Sequence, residues 1–254
     1  MAGLSGIVIT FNEERHIEAA LASLSFCEER LVVDAGSTDR TVDIARAMGV
    51  RVQVSKPWPG FVAQRNLALG AACHDWVLFL DADERVTPAL QAEIEALSQS
   101  GFDCPGYRVP RVARYLGRWI RGTDWYPDRQ LRLFDRRRGQ WEGGAVHESA
   151  RVEGPVGRLR GEILHYPYAD ITDHLRTIDR YTTLWADHAH AAGRRTGSFE
   201  MMGASAWAFV RNYWLRRGVF LGWPGLMVSV MAAFYTALKL AKLRERAIAR
   251  SVES

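Results

Sequence analysis

Cysteine is scarce in this chain: of 254 residues three are Cys, at Cys27, Cys73 and Cys104. They form no CxxC pair and have no metal-ligand spacing, so they are expected to be reduced packing residues in a cytosolic compartment. The opening stretch "MAGLSGIVITFNEE" lacks a basic n-region and has too short an apolar run for a secretory signal. The folded domain is therefore expected to start at once. Disorder is not expected either, because 48% of the residues are hydrophobic and 24% charged, an ordinary globular balance. No large excess of one sign exists. The formal charge of +4 sits largely in clusters such as Arg136-Arg137-Arg138, Arg194-Arg195 and Arg216-Arg217, which suit anionic partners locally. No nucleic-acid partner is expected.

What the chain does contain is alternation. "SGIVIT", "RLVVD", "VRVQVS" and "WVLFLD" read as short buried strands. Between them lie helical patterns: "EERHIEAALASL", with Asn12 as N-cap and Ile17, Leu21 and Leu24 at helical spacing; "TDRTVDIARAMG", with Val42, Ile44 and Ala45 inward and Gly49 closing it; and "FVAQRNLALGAA". This βαβαβαβ order predicts an α/β fold, a mostly parallel central sheet flanked by helices. Ligands of such sheets bind beyond the carboxyl ends of the strands. Three strands end there in polar residues: Thr10-Phe11-Asn12-Glu13, Asp34, and Asp81-Ala82-Asp83. Unpaired carboxylates so grouped would repel one another, and a divalent cation would turn that repulsion into ligation. The bland alternative is that Asp83 and Glu84 cap a helix beginning near Pro88.

"IVITFNEERHI", "VVDAGSTDRTVDIA", "QRNLAL" and "VLFLDADE" resemble the successive motifs of family 2 glycosyltransferases, the inverting enzymes with the Rossmann-like GT-A fold; the likeness is close over residues 4 to 90. It implies a nucleotide-sugar donor, with Thr10, Phe11, Asn12, Glu13 and Asp34 at the base and ribose. Arg65, Lys56, Asp81 and Ala82 then belong near the diphosphate, and Mg2+ or Mn2+ on Asp83 and Asp81. Ala35 departs from the family pattern, which often has a second aspartate there, and leaves base contact to Asp34. "RLFDRRRGQWEGGAVHE" and "LHYPY" further resemble the lipopolysaccharide inner-core β-1,4-glucosyltransferases, implying UDP-glucose as donor and an anionic glycolipid or glycan as acceptor.

Past residue 100 the alternation stops. Residues 101–168 read as an acceptor-binding half completing a domain over 1–168, in which Trp119, Trp125, Tyr126 and Trp141 are candidates to stack on sugar rings. An inverting transfer needs one general base. Glu148, in a glycine-flanked turn, is the candidate, with Asp128 and Glu142 as rivals. His147 and His165 are candidate metal or phosphate contacts, against the plain reading of hydrogen-bonded histidines. Residues 169–254 read as a helical extension. It begins with a helix on which Leu175, Ile178 and Leu184 are periodic; His188 and His190 point to different faces, so they form no metal pair. It continues through an uncharged run, Gly218 to Leu238, interrupted by Trp223-Pro224-Gly225 and flanked by cations on both sides. That pattern predicts a peripheral or monotopic element on the cytoplasmic face of the inner membrane rather than a simple span, with a homo-oligomer interface as the alternative use. Two rival functions share parts of this pattern. A haloacid-dehalogenase-type phosphatase also carries an apolar strand running into DxD, but on its first strand and with Thr or Val where Arg85 stands. A non-catalytic, membrane-associated nucleotide-binding protein is the other.

Overall fold

Runs such as "LSGIVIT" and "WVLFLD" are mostly apolar without alternation, the mark of strands covered on both faces. A computed structural model of the chain, which describes residues 3–143 and 148–252, places both at the centre of one sheet. The chain divides into two compact units, Met1–Val112 with Asp128–His165, and Ala113–Pro127 with Tyr166–Ser254. In chain order the first stretch runs β1 (Leu4–Thr10), α1 (Ile17–Ser23), β2 (Glu29–Asp34), α2 (Thr41–Ala47), β3 (Arg51–Val54) and α3 (Phe61–Ala71). It continues β4 (Trp76–Asp81), β5 (Glu84–Val86), α4 (Pro88–Ser100) and β6 (Gly106–Tyr115). After the short β7 (Arg118–Ile120) come β8 (Asp128–Asp135), β9 (Gly139–Glu142), β10 (Ser149–Val152), β11 (Val156–Arg158) and β12 (Ile163–His165).

The sheet order is β3-β2-β1-β4-β8-β6-β12-β5, with β11 and β7 on β6. The four strands read from the sequence pair in parallel, whereas β8 lies antiparallel to β4 and β6. The sheet is thus mixed. On β4, Trp76, Leu78 and Leu80 enter one core with Ile17, Leu21, Leu90 and Ile94, while Val77 and Phe79 enter the other with Ala68, Leu69, Phe134 and Trp141. Each such buried side chain stabilises the sheet by roughly 1.5–3 kcal/mol.

Three local expectations change. Asn12 does not cap α1, which starts at Ile17; it sits in the left-handed region at φ 55° and its Oδ1 accepts from the Thr38 amide at 2.9 Å, stitching two loops together. Helix α4 is capped by Thr87, whose Oγ1 accepts from the Leu90 amide, with Pro88 in its first turn, so Asp83 and Glu84 are not its caps. Cys27 packs in the core but Cys73 is exposed.

In the second unit the last residues of β6 pair with β7, and a 3-10 turn spans Thr123–Trp125. Three helices follow: α5 (Ile171–Ala191), capped by Asp170, α6 (Ser198–Val210) and α7 (Gly222–Val252). A π turn, Arg211–Leu215, and a 3-10 turn, Gly218–Leu221, make the bend between α6 and α7. Helix α5 stands where its periodicity placed it, but its inward face is His174, Ile178, Thr182, Ala186 and Ala189, whereas Leu175 and Leu184 are exposed.

Candidate active site

Register brings the polar strand ends together: Thr10 lies opposite Asp34 across β1 and β2, and Ile9 lies opposite Asp81 across β1 and β4. Asp34 is wholly buried and serves its own turn. Its Oδ1 accepts from the Gly36 and Ser37 amides, both at 2.8 Å, and its Oδ2 from the Ser37 hydroxyl. Gly36 holds φ 93°, and a Cβ there would meet the Lys56 side chain, which lies over it. Thr10 is buried with no partner for its Oγ1 among the described residues. Phe11 is exposed, and the Glu13 amide donates to Thr41 Oγ1 at 2.8 Å. The loops after β1 and β2 therefore form one braced edge.

Asp81 ends β4 inside a chain of alternating charges. Its Oδ1 accepts from Arg65 Nη2 and its Oδ2 from Arg132 Nη2, each at 2.7 Å. Arg132 Nη2 also donates to Glu84 Oε1 at 2.7 Å, and Arg111 joins Glu84 to Asp128 at 2.9 and 2.6 Å. The remaining Glu84 oxygen accepts from the Asp81 amide at 3.0 Å. Three guanidiniums thus face three carboxylates. Burial pushes the Asp81 carboxyl up, but Arg132 and then Arg65 outweigh it and hold it well below the usual carboxylate range. A phosphatase of the haloacid-dehalogenase type needs its first aspartate free to attack. Here both Asp81 oxygens lie on guanidiniums.

Beyond this network stand the groups with capacity left. β12 runs antiparallel to β5 with His165 opposite Glu84, and His165 Nε2 reaches Asp83 Oδ2 at 3.2 Å. Adjacent octahedral ligands of an ion bound at about 2.1 Å stand about 3 Å apart, so this pair fits a hard divalent cation. Among the described residues no three His, Cys, Asp or Glu side chains gather as a metal group. Two protein ligands suit an ion that takes its other oxygens from a diphosphate and water. Asp81, expected beside Asp83 on the metal, is instead engaged by Arg65 and Arg132. Ala82 lies buried between the two aspartates.

Arg65, at 7% exposed, lies 4.3 Å over the Trp141 ring, and its Nη2 is 4.0 Å from Glu148 Oε1. Its Nε and Nη1 have no hydrogen-bond partner among the described residues. The structure thus puts Glu148 next to the Arg65–Asp81 pair. Of its rivals, Asp128 is held by Arg111, and Glu142 pairs with Arg151 and Gln140 at the surface. His147 lies outside the described residues. Trp141, one of the aromatics considered for sugar stacking, is a core residue against Phe79 at 5.2 Å. The sequence pattern does not single out Arg132, Arg111 or Glu84, since each stands where a strand or turn would carry a solvent-facing charge.

Comparison with known proteins places this edge in context. The chain is 30% identical over 250 residues to the lipopolysaccharide core biosynthesis glycosyltransferase LpsC of Rhizobium meliloti, covering 96% of this chain and 92% of that one. It is 30% identical to an uncharacterized glycosyltransferase of Rickettsia typhi, over 96% and 88% of the two chains. Among solved structures it is similar to glucosyl-3-phosphoglycerate synthase of Mycobacterium tuberculosis in complex with Mn2+, UDP and glucosyl-3-phosphoglycerate, with 26% identity, 44% of each chain covered and a TM-score of 0.38. The glycosyl transferase family 2 model matches residues 5–151, and with that match and its GT-A sheet the chain belongs to glycosyl transferase family 2.

Proposed function

We infer that this glycosyltransferase moves a sugar, with UDP-glucose the favoured donor, onto an anionic glycan or glycolipid of the lipopolysaccharide core at the cytoplasmic face of the inner membrane. The observation that carries the reading is the strand-end cluster itself: the Asp83–His165 pair beside a charge-balanced Arg65–Asp81–Arg132 chain, with Glu148 against Arg65. The relationship to LpsC supports the acceptor class. The edge formed by Thr10 to Glu13, Asp34 and Lys56 receives the nucleotide. Asp83 and His165 would hold Mg2+ or Mn2+, which when bound neutralises charge developing on the diphosphate leaving group. Arg65, buried and with N–H groups that find no partner among the described residues, donates to the same anion, and Asp81 holds its guanidinium in place. Glu148 takes the proton of the acceptor hydroxyl as that oxygen attacks the anomeric carbon, and the configuration inverts in a single displacement.

The test is UDP release from UDP-sugars with Mn2+ or Mg2+ and an acceptor extract, comparing the wild type with Asp83→Asn. The variant is expected to keep its melting temperature and lose transfer. Wild-type activity in the variant at limiting metal would overturn the metal role of Asp83.

A further inference from the structure

Soluble helices turn their apolar stripe inward. Helix α6 does the reverse. Phe199, Met202, Trp207, Val210 and Trp214, at helical spacing over α6 and the π turn that continues it, are exposed by 93, 67, 55, 40 and 60%, while the only buried residue of α6 is Ala208. The exposed apolar series continues with Leu215 and Phe220 in the bend and with Trp223, Val230 and Phe234 on α7. Exposed large apolar side chains in this number on one helix and the bend after it mark an interaction site.

The charge around it selects the partner. Residues 201–244 contain six lysines and arginines and not one aspartate or glutamate. Arg211, Arg216 and Arg217 cluster at the bend and all three are exposed, Arg211 and Arg216 against Asp124 and Arg217 between Trp214 and Phe220. Tryptophans and cations at the rim of an apolar face match the interface of an anionic lipid leaflet, where apolar burial and attraction to headgroups add.

Depth is set by α5. It packs along α7 through Lys242 to Asp179 at 2.6 Å, Arg246 to Asp187 at 2.5 Å, and Leu243 against Ala186 and Ala189. Besides these paired aspartates it carries exposed Arg176 and Arg180. Helix α7 is long and apolar enough to cross a bilayer, yet a crossing would draw those charges into hydrocarbon, which is strongly disfavoured. We propose that α6, the bend and the first half of α7 form a monotopic docking face that lies within one anionic leaflet without spanning it. This deepens, and for the identity of the membrane rests on, the reading that the acceptor is membrane-borne.

The test uses the full-length chain in flotation with phosphatidylglycerol/phosphatidylcholine vesicles and with phosphatidylcholine alone, at low and high salt. The wild type is expected to float with the anionic vesicles, less so at high salt. Phe199→Ser with Trp214→Ser should weaken partition by at least roughly tenfold, from lost apolar area. Arg216→Gln with Arg217→Gln should weaken it by about fivefold per arginine on anionic vesicles only. Melting temperatures should not move, since all four side chains are exposed. A wild type that stays in solution with anionic vesicles at low salt, or variants that float as it does, would overturn the proposal. So would a lipid-free dimer abolished by the aromatic pair, which would make the face an interface between copies. UDP release assayed without lipid separates the two readings: release without flotation removes only the docking face, and flotation without release removes only sugar transfer.

Discussion

Arg65 divides its guanidinium between two carboxylates, Asp81 at 2.7 Å and Glu148 at 4.0 Å, while its plane rests on Trp141. A glutamine at 148 keeps shape and hydrogen bonding but cannot accept a proton. Glu148→Gln should lower turnover by roughly 10² to 10⁴ and leave donor affinity nearly unchanged, because Glu148 is not placed on the nucleotide and Arg65 keeps its closer partner Asp81. Turnover measured beside calorimetric UDP binding checks this; turnover within a few-fold of wild type would return the role of base to Asp128 or Glu142. Asp81 and Asp83 were legible because DxD after an apolar run stands out in a linear sequence, whereas Glu84 reads there as a helix cap. Arg132 was not legible. In "QLRLFD" it reads as the solvent-facing position of an alternating strand, and only insertion of β8 beside β4 turns it onto Asp81. Removing one member of such a buried ionic set leaves its partner uncompensated, at a cost of roughly 3–5 kcal/mol.

Among the elements, those with an apolar run or period carried within a few consecutive residues were legible, as with β1 to β4 and α3. The strand character of β8 was legible in "QLRLFD", but its place between β4 and β6 was not, because it depends on partners distant in sequence. Helix α5 shows a different limit: its period was visible but its buried face was not, since that face is built from small and polar residues around His174. This histidine is 4% exposed, its Nδ1 lies 2.9 Å from the Tyr115 hydroxyl, and Tyr168 stacks on it at 4.1 Å. Burial, only partly opposed by Asp173, pulls its pKa down to about 4. A base with a depressed folded pKa costs nothing above its unfolded value of about 6.5, and below that the unfolded chain binds the proton more readily. Stability should therefore be flat above pH 6.5 and fall by up to roughly 3 kcal/mol as pH drops toward 4. Urea unfolding at pH 7 and pH 5 measures it, and His174→Phe should lessen the slope. An equal slope in that variant would assign it to other groups.

For the molecule as a whole, the decisive feature is that the chain leaves the first unit after Val112, re-enters it at Asp128 and leaves again after His165. Within the second unit the excursion is held by late residues. The Thr123 amide donates to the Arg216 carbonyl at 2.7 Å, the Asp124 amide to Asn212 Oδ1 at 2.7 Å, and Arg118 to the Leu221 carbonyl at 3.1 Å. A chain cut before Ala206 should therefore expose Ala113–Pro127 to trypsin at Arg114, Arg118 and Arg121, and limited proteolysis followed by mass spectrometry would show it. Protection equal to full length would mean that the segment holds itself. The same threading carries a consequence for synthesis. On the ribosome the excursion emerges some ninety residues before its partners, a delay of roughly 5–20 s at ordinary elongation rates. Throughout that interval Tyr115, Ile120 and Trp125 are sticky surface rather than core, so the nascent chain offers chaperones a binding segment that the finished protein conceals.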